Sequence, residues 1–317
     1  MDKSSAKKKN IFGPVPSRRL GRSLGVDLVP YKTCTFDCIY CDLGRTAHKT
    51  TFRQPFVFPE EIQKELELVL SVMDKMPDFI TLSGSGEPTL NSNIGEILRG
   101  VKEVSAIPVA VLTNSSLLTL EEVRKDLLEA DVVLPSLDAV TPALFGYMNR
   151  PHLSLRIEEI MSGLFQFRKQ YRGQIWLEIL FCRGVNDSRE EVARLKEAVE
   201  RIQPDRIQLN TAVRPPAEEF AFPLTMVQLE EIRETFGDKA EVVSEFTAPM
   251  GEEVNSIKDT DILNLIRRRP CTAEDISRAL GLHLGEVVKY LEKLVKEGAV
   301  HYRMHDHQCY YERVLTH

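Results

Sequence analysis

The chain has 317 residues, 43% hydrophobic and 28% charged, an ordinary globular composition with room for one domain of roughly 200 to 250 residues and a small one. Its net charge of −6 argues against an overall nucleic-acid footprint while leaving space for a local basic patch. No run of about 18 apolar residues is present to span a membrane, and six cysteines in a chain that reads as cytoplasmic suggest metal ligands or redox thiols rather than a disulfide framework.

Residues 1–10 form a basic tail, expected to be disordered, without the apolar core of a secretory signal. The run FGPVPSRRLGRSLG from Phe12 to Gly25 follows, with Arg18, Arg19 and Arg22 among glycines. Such guanidinium groups suit a phosphate or a carboxylate. The alternative is folding or packing, and a position ahead of the first strand puts the run at the far end of a sheet from any cluster. β-rich runs predict strands at Gly25–Tyr31, Phe79–Leu82, Val109–Thr113, Val132–Leu137, Ile175–Phe181 and Arg206–Asn210. Helical periodicity fills the gaps; Glu60–Met73 puts Ile62, Leu66, Val69, Leu70 and Met73 on one face. Six strands alternating with helices predict an α/β fold, a partial (β/α)6 barrel, with functional residues just past the strand ends. The unusual polar residues do fall there. Cys34 follows the first strand, Ser83–Glu87 the second, Asn114 the third and Asp138 the fourth, while Cys182 and Asn210 close the fifth and sixth.

Thr211–Met250 reads as an irregular closing region, with a helix near Thr225–Thr235 and a short strand near Glu241–Phe246. The catalytic domain is therefore drawn over residues 11–253. From 254 to 317 the order is helix, helix, turn, helix and hairpin, that of a winged helix-turn-helix domain, with Thr272 and Asp275 as an N-terminal cap and Gly281 as a stop. This segment holds ten Lys or Arg against nine Asp or Glu, with Arg267–Arg269 its one basic cluster. A DNA reader usually shows a stronger basic face, so nucleic-acid contact and protein or peptide docking both stay open. The His-rich hairpin from His301 to Cys309 reads as a solvated hairpin before a metal site.

Cys34, Cys38 and Cys41, spaced four and three residues apart, can hold three corners of a four-iron cluster and leave one iron open. Zinc would want a fourth ligand, for which His48 is the candidate. This C-x-x-x-C-x-x-C motif, with Tyr40 before the last cysteine, resembles that of the radical S-adenosylmethionine (radical SAM) superfamily. The resemblance spans about residues 20–212. It implies a [4Fe-4S] cluster and S-adenosylmethionine, cleaved reductively to methionine and a 5′-deoxyadenosyl radical that takes hydrogen from a substrate: an RNA nucleotide, a peptide or a metabolite. It also implies that Gly84, Ser85, Gly86 and Glu87 bind the methionine amine, that Asn114 lies near the methionine portion, and that Ser136 and Asp138 meet the ribose; a tight turn and a helix cap are the plain alternatives. Glu178 either contacts ribose or substrate or pairs with an internal arginine, because an unpaired buried carboxylate is costly. Asn210 joins the cofactor-binding candidates. Cys182 is a candidate hydrogen-atom donor against the commoner inert buried thiol. The arginine-rich run is also loosely similar to the tRNA wyosine synthase-like group. A low-potential donor such as ferredoxin or flavodoxin is the expected electron partner. The competing class is an iron–sulfur regulator that senses redox state or S-adenosylmethionine and binds DNA through the winged helix.

Overall fold

The computed structural model describes residues 10–243, 259–266, 269–306 and 308–314. Strands β1 (Ile11–Ser17) and β2 (Gly21–Asp27) form an antiparallel hairpin. The arginine-rich run is therefore a strand, a turn and the start of the next strand. Pro14 and Pro16 conceal β1 in the sequence, because proline cannot donate to a ladder. They are accommodated because β1 lies at the sheet edge and its register shifts between Phe12 and Val15.

Two short strands, β3 (Thr33–Cys34) and β4 (His48–Lys49), pair with each other in the loop that follows. Then come α1 (Pro59–Ser71), β5 (Phe79–Ser83), α2 (Ile94–Val104), β6 (Val109–Thr113), α3 (Glu121–Asp126), β7 (Val132–Pro135), α4 (Pro142–Met148) and α5 (Ile157–Gln170). β8 (Gln174–Phe181), α6 (Arg189–Ile202), β9 (Arg206–Thr211), α7 (Met226–Phe236) and β10 (Ala240–Val242) complete the large unit. The main sheet runs β1-β2-β5-β6-β7-β8-β9-β10, parallel throughout except for β1.

Alternation along the strands sorts side chains onto two faces. Val26, Leu82, Val111, Val133 and Leu177 join the large core beneath the helices. Ala110, Val132, Leu134 and Trp176, from the alternate positions, form a second cluster with Leu20 of the β1–β2 turn. Leu20 shares this cluster with Trp176 on β8, four strands beyond β2 in the sheet, and Arg19 of the same turn pairs with Glu178 on β8, which requires the sheet to curl into an open barrel. Polar residues then occupy the inner face above this apolar floor.

The C-terminal unit consists of α8 (Asp259–Ile266), α9 (Ala273–Leu280), α10 (Leu284–Lys296) and the hairpin β11 (Val300–His305) and β12 (Gln308–Arg313). Its own core gathers Ile262, Ile276, Val287 and Leu291. Thr272 and Asp275 form a reciprocal capping box, and Gly281 closes α9 at φ 65°. Among the described residues no helix is long and apolar enough to cross a membrane. The basic tail through residue 9, the boundary near 253, residues 244–246 of the expected short strand, and Arg267, Arg268 and His307 lie outside the described residues.

Candidate active site

The loop after β2 folds back on itself through short turns. Cys41 N–H donates to the Cys38 carbonyl at 3.2 Å, and Gly44 N–H to the Cys41 carbonyl at 3.0 Å. Cys34, Cys38 and Cys41 are all free thiols, half-buried on this loop. Removal from water pushes each thiol up, Cys34 to about 11 with Glu87 adding to it and Cys41 to about 12 with Asp42 adding. Cys38 is raised well above its ordinary value, by burial first and then by Cys41 and Cys34. Three thiols that oppose one another's ionisation need a cationic group among them to become thiolates. Asn114 Nδ2 lies 3.5 Å from Cys34 Sγ, and Asn149 Nδ2 lies 3.6 Å from Cys38 Sγ. His48 is exposed on β4. Among the described residues no three His, Cys, Asp or Glu side chains are arranged to hold a single metal ion.

Beside this loop the end of β5 is clamped by close backbone packing. A Cβ at Gly86 would meet the Thr33 carbonyl oxygen at 1.8 Å, and Gly84 sits at φ +122° against Asp27, so only glycine fits both positions. Ser85 is buried, with N–H and Oγ donating to Asp27 at 3.1 and 2.6 Å. Glu87 Oε1 accepts from Thr89 N, Thr89 Oγ1 and Thr113 Oγ1 at 3.1, 2.6 and 2.7 Å, and Oε2 from Asn114 N at 2.7 Å. Burial raises this carboxyl despite those bonds. Oε1 is saturated; Oε2 has one donor and room for another.

A second carboxylate braces the opposite side. Asp138 Oδ1 accepts from Leu180 N at 2.9 Å, and Oδ2 accepts from Asn149 Nδ2 at 3.0 Å and from the Tyr40 hydroxyl. Burial lifts Asp138 to about 6 against these bonds. Ser136 is half-buried next to it, its backbone bridged to Glu178 on β8. Glu178 pairs with Arg19 and accepts from Asn210 Nδ2 at 2.8 Å. Cys182 stands apart, fully buried among Ile39, Met148 and Ala221 and pushed up to about 12 by burial. The barrel end thus ties the cysteine loop to two strand ends, through Cys34–Asn114–Glu87 and through Cys38–Asn149–Asp138 with Tyr40, while Cys41 is held by its backbone; Glu178 and Asn210 form a further group with the N-terminal turn. Asp27 and Asn149 escape a reading of the sequence, whereas Arg19, marked there as suited to an anion, meets the carboxylate of Glu178. An acid within the apolar run Val26–Val29 was a usable signal for Asp27; nothing local marks Asn149.

A model of the radical SAM superfamily matches residues 28–195. The chain belongs to the radical SAM superfamily. As a radical SAM protein it is an iron–sulfur enzyme, and the family uses a [4Fe-4S] cluster and S-adenosylmethionine. A UPF0026 protein of Methanocaldococcus jannaschii is 32% identical over 306 residues, covering 95% of this chain and 94% of that one, and this chain is one of that group. A Brachyspira hyodysenteriae protein named GTPase Obg is 37% identical over 303 residues, yet the chain spans only 44% of its length. Among solved structures, a radical SAM methyltransferase from Sphaerobacter thermophilus matches with a TM-score of 0.55 at 15% identity, covering 69% of this chain and 65% of that one. SuiB of Streptococcus suis, bound to its precursor peptide SuiA, matches with 0.52 at 15% identity, over 69% and 48%. These likenesses concern the fold. The donor set of this radical SAM chain fits the family's cluster. Three thiols on one loop, close enough for Cys41 and Cys34 to raise Cys38, suit a multi-iron group.

Proposed function

We propose that Cys34, Cys38 and Cys41 hold a [4Fe-4S] cluster with one open iron, and that the chain cleaves S-adenosylmethionine reductively to act on a small substrate. The observation that carries this reading is the bonded network joining the cysteine loop to the β5 and β7 ends through Asn114, Asn149, Tyr40, Glu87 and Asp138. When bound, the reduced cluster supplies the electron that divides S-adenosylmethionine into methionine and a 5′-deoxyadenosyl radical, which takes a hydrogen atom from the substrate.

The chain's own part is to bind, orient and exclude water. Gly84, Ser85 and Gly86 would cradle the methionine end, with Glu87 Oε2 accepting the ammonium. Asn114 would steady the Cys34 side through its contact with that sulfur. Ser136 and Asp138 would meet the ribose, while Asp138 keeps Tyr40 and Asn149 in place beside Cys38. Glu178 and Asn210, tied to Arg19 and Arg18, would shape the far wall. Cys182 has no role here, since its apolar pocket is that of a packing thiol. The C-terminal order of three helices and a hairpin suits a winged helix, and ferredoxin or flavodoxin suits the electron donor.

The test is anaerobic reconstitution with iron and sulfide, followed by dithionite and S-adenosylmethionine. 5′-Deoxyadenosine should form, and Cys38→Ala should lose both the cluster absorbance and the product. A correctly assembled cluster that yields no 5′-deoxyadenosine overturns the reading.

A further inference from the structure

The β1–β2 turn crosses the open side of the barrel. Leu20 packs onto Val132 and Trp176 inside the curl, Arg19 pairs with Glu178 on β8, and Arg18 Nη1 donates to Asn210 Oδ1 on β9 at 3.2 Å. Against this turn lies a cavity of about 230 Å³. Its wall includes Ser83 and Gly84, at the tip of β5, and Arg18, Arg214 and Arg269. Those three arginines come from the N-terminal turn, the segment after β9 and the C-terminal unit. The same three also line a smaller cavity of about 170 Å³, together with Glu274 and Asp275.

Their charge is poorly matched within the protein. Arg19 lines the larger cavity too, but Glu178 answers it. Asp42 is the one carboxylate on that wall among the described residues, and it stands 3.9 Å from Arg214 Nη1. Arg214 is 14% exposed, and its buried Nε has no hydrogen-bond partner among the described residues. Burial, reinforced by Arg214 and Arg19, lowers Arg18 to about 10. Arg214 is lowered by burial and then by Arg269. Arg269 is offset more fully: Cys271, Asp42 and Asp275 outweigh its burial and raise it. On the larger cavity's wall three guanidinium groups face one carboxylate among the described residues, while Glu274 and Asp275 stand with them on the wall of the smaller one; the larger cavity thus suits a further anion, since buried charge is costly unless paired. The planar fork of arginine matches the oxygens of a carboxylate or phosphate.

We propose that this cavity takes the oxyanion end of the substrate, a small carboxylate or phosphate compound, on Arg18, Arg214 and Arg269. The assignment rests on the function proposed above, because the cavity's wall also includes Gly84 of the segment given there to the cofactor. Its volume falls below the roughly 300–1,000 Å³ of pockets for drug-sized ligands, which favours a compact metabolite over a nucleic-acid strand. Leu265 and Arg269 close the wall, so the C-terminal unit completes the substrate chamber. S-adenosylmethionine carries a carboxylate of its own, and the test must separate the two sources.

The experiment titrates the reconstituted full chain by anaerobic calorimetry, in buffers matched with chloride for ionic strength. The probes are inorganic phosphate and malonate, each with and without saturating S-adenosylmethionine, and S-adenosylmethionine alone. Phosphate or malonate should bind saturably alongside S-adenosylmethionine. Arg18→Gln and Arg214→Gln should each weaken that binding about tenfold or more, the loss of one charge-assisted bond. Arg214→Lys, which keeps the charge and loses the fork, should fall between, and the exposed Arg99→Gln on α2 should match the natural chain. The natural chain needs no variant to decide the first point. If it binds neither anion saturably but still makes 5′-deoxyadenosine, the proposal fails and the proposed function stands. If the added anions and S-adenosylmethionine exclude each other, and the variants lose the latter, the arginines serve the cofactor's carboxylate and the substrate assignment fails. If the anions bind through these arginines but no 5′-deoxyadenosine forms, the proposed function fails and the substrate assignment falls with it.

Discussion

Asn149 shows how much of the site rests on one amide. Its Nδ2 group faces Asp138 Oδ2 at 3.0 Å, Tyr40 Oη at 3.2 Å and Cys38 Sγ at 3.6 Å, and its carbonyl accepts from Asp37 N at 3.0 Å. The end of α4 is thereby fastened to the cysteine loop and to the end of β7. Replacing Asn149 with Ala leaves the buried Asp138 one donor short, at a cost of about 1–3 kcal/mol. Asn149→Ala is expected to unfold at lower urea and to retain less iron after reconstitution. Wild-type values for both would show the amide to be incidental. The cysteines were legible because their spacing is local. Asn149 was not, because it meets Cys38 across 111 residues of chain. Glu87 was legible as a carboxylate beside glycines at a strand end, but not as the acceptor of four bonds from its own chain. Those donors come from Thr89, Thr113 and Asn114, which share a strand end only once the sheet has formed.

At the scale of elements, helices with a full apolar stripe and a cap were read accurately. α9 begins and ends at its capping and glycine signals, and α1, expected over Glu60–Met73, runs Pro59–Ser71. The first barrel strand was misread by four residues, at Gly25–Tyr31 rather than Gly21–Asp27. The apolar run continues past the sheet: Leu28 and Val29 are buried in the core without being in a strand. Hydrophobicity marks burial, and burial outlasts the ladder here. The cap on α9 gives a clean check. Thr272 accepts from Asp275 N at 3.1 Å, on a helix of 8 residues that is too short to hold its first turn unaided. Thr272→Ala should cost about 1 kcal/mol in thermal or urea unfolding, while Thr272→Ser should recover most of it. Equal melting of the Ala and natural proteins would mean that tertiary packing alone sets the start of α9.

For the whole molecule, charge counts and periodicity separated two units but said nothing of how they meet. Docking is a matter of which few groups face each other, and composition averages over them. Tyr310, 5% exposed, donates from β12 to the Val213 carbonyl at 2.8 Å. Around it Arg18, Arg214 and Arg269 share one cavity wall. The seam therefore combines a neutral tether with arginines from both units, beside Glu274 and Asp275, and a bound oxyanion would add a cross-link between those arginines. Tyr310→Phe removes the tether but keeps the ring, so the expected loss is about 0.5–1.5 kcal/mol, confined to the seam. Hydrogen exchange should then speed up at residues 211–214 and in β11–β12, leaving β5 and β6 protected as before. Added phosphate should slow exchange at the seam again, because an anion held by arginines from both units opposes their separation. Faster exchange spread evenly through the barrel, or none at 211–214, would mean that Tyr310 does not hold the two units together.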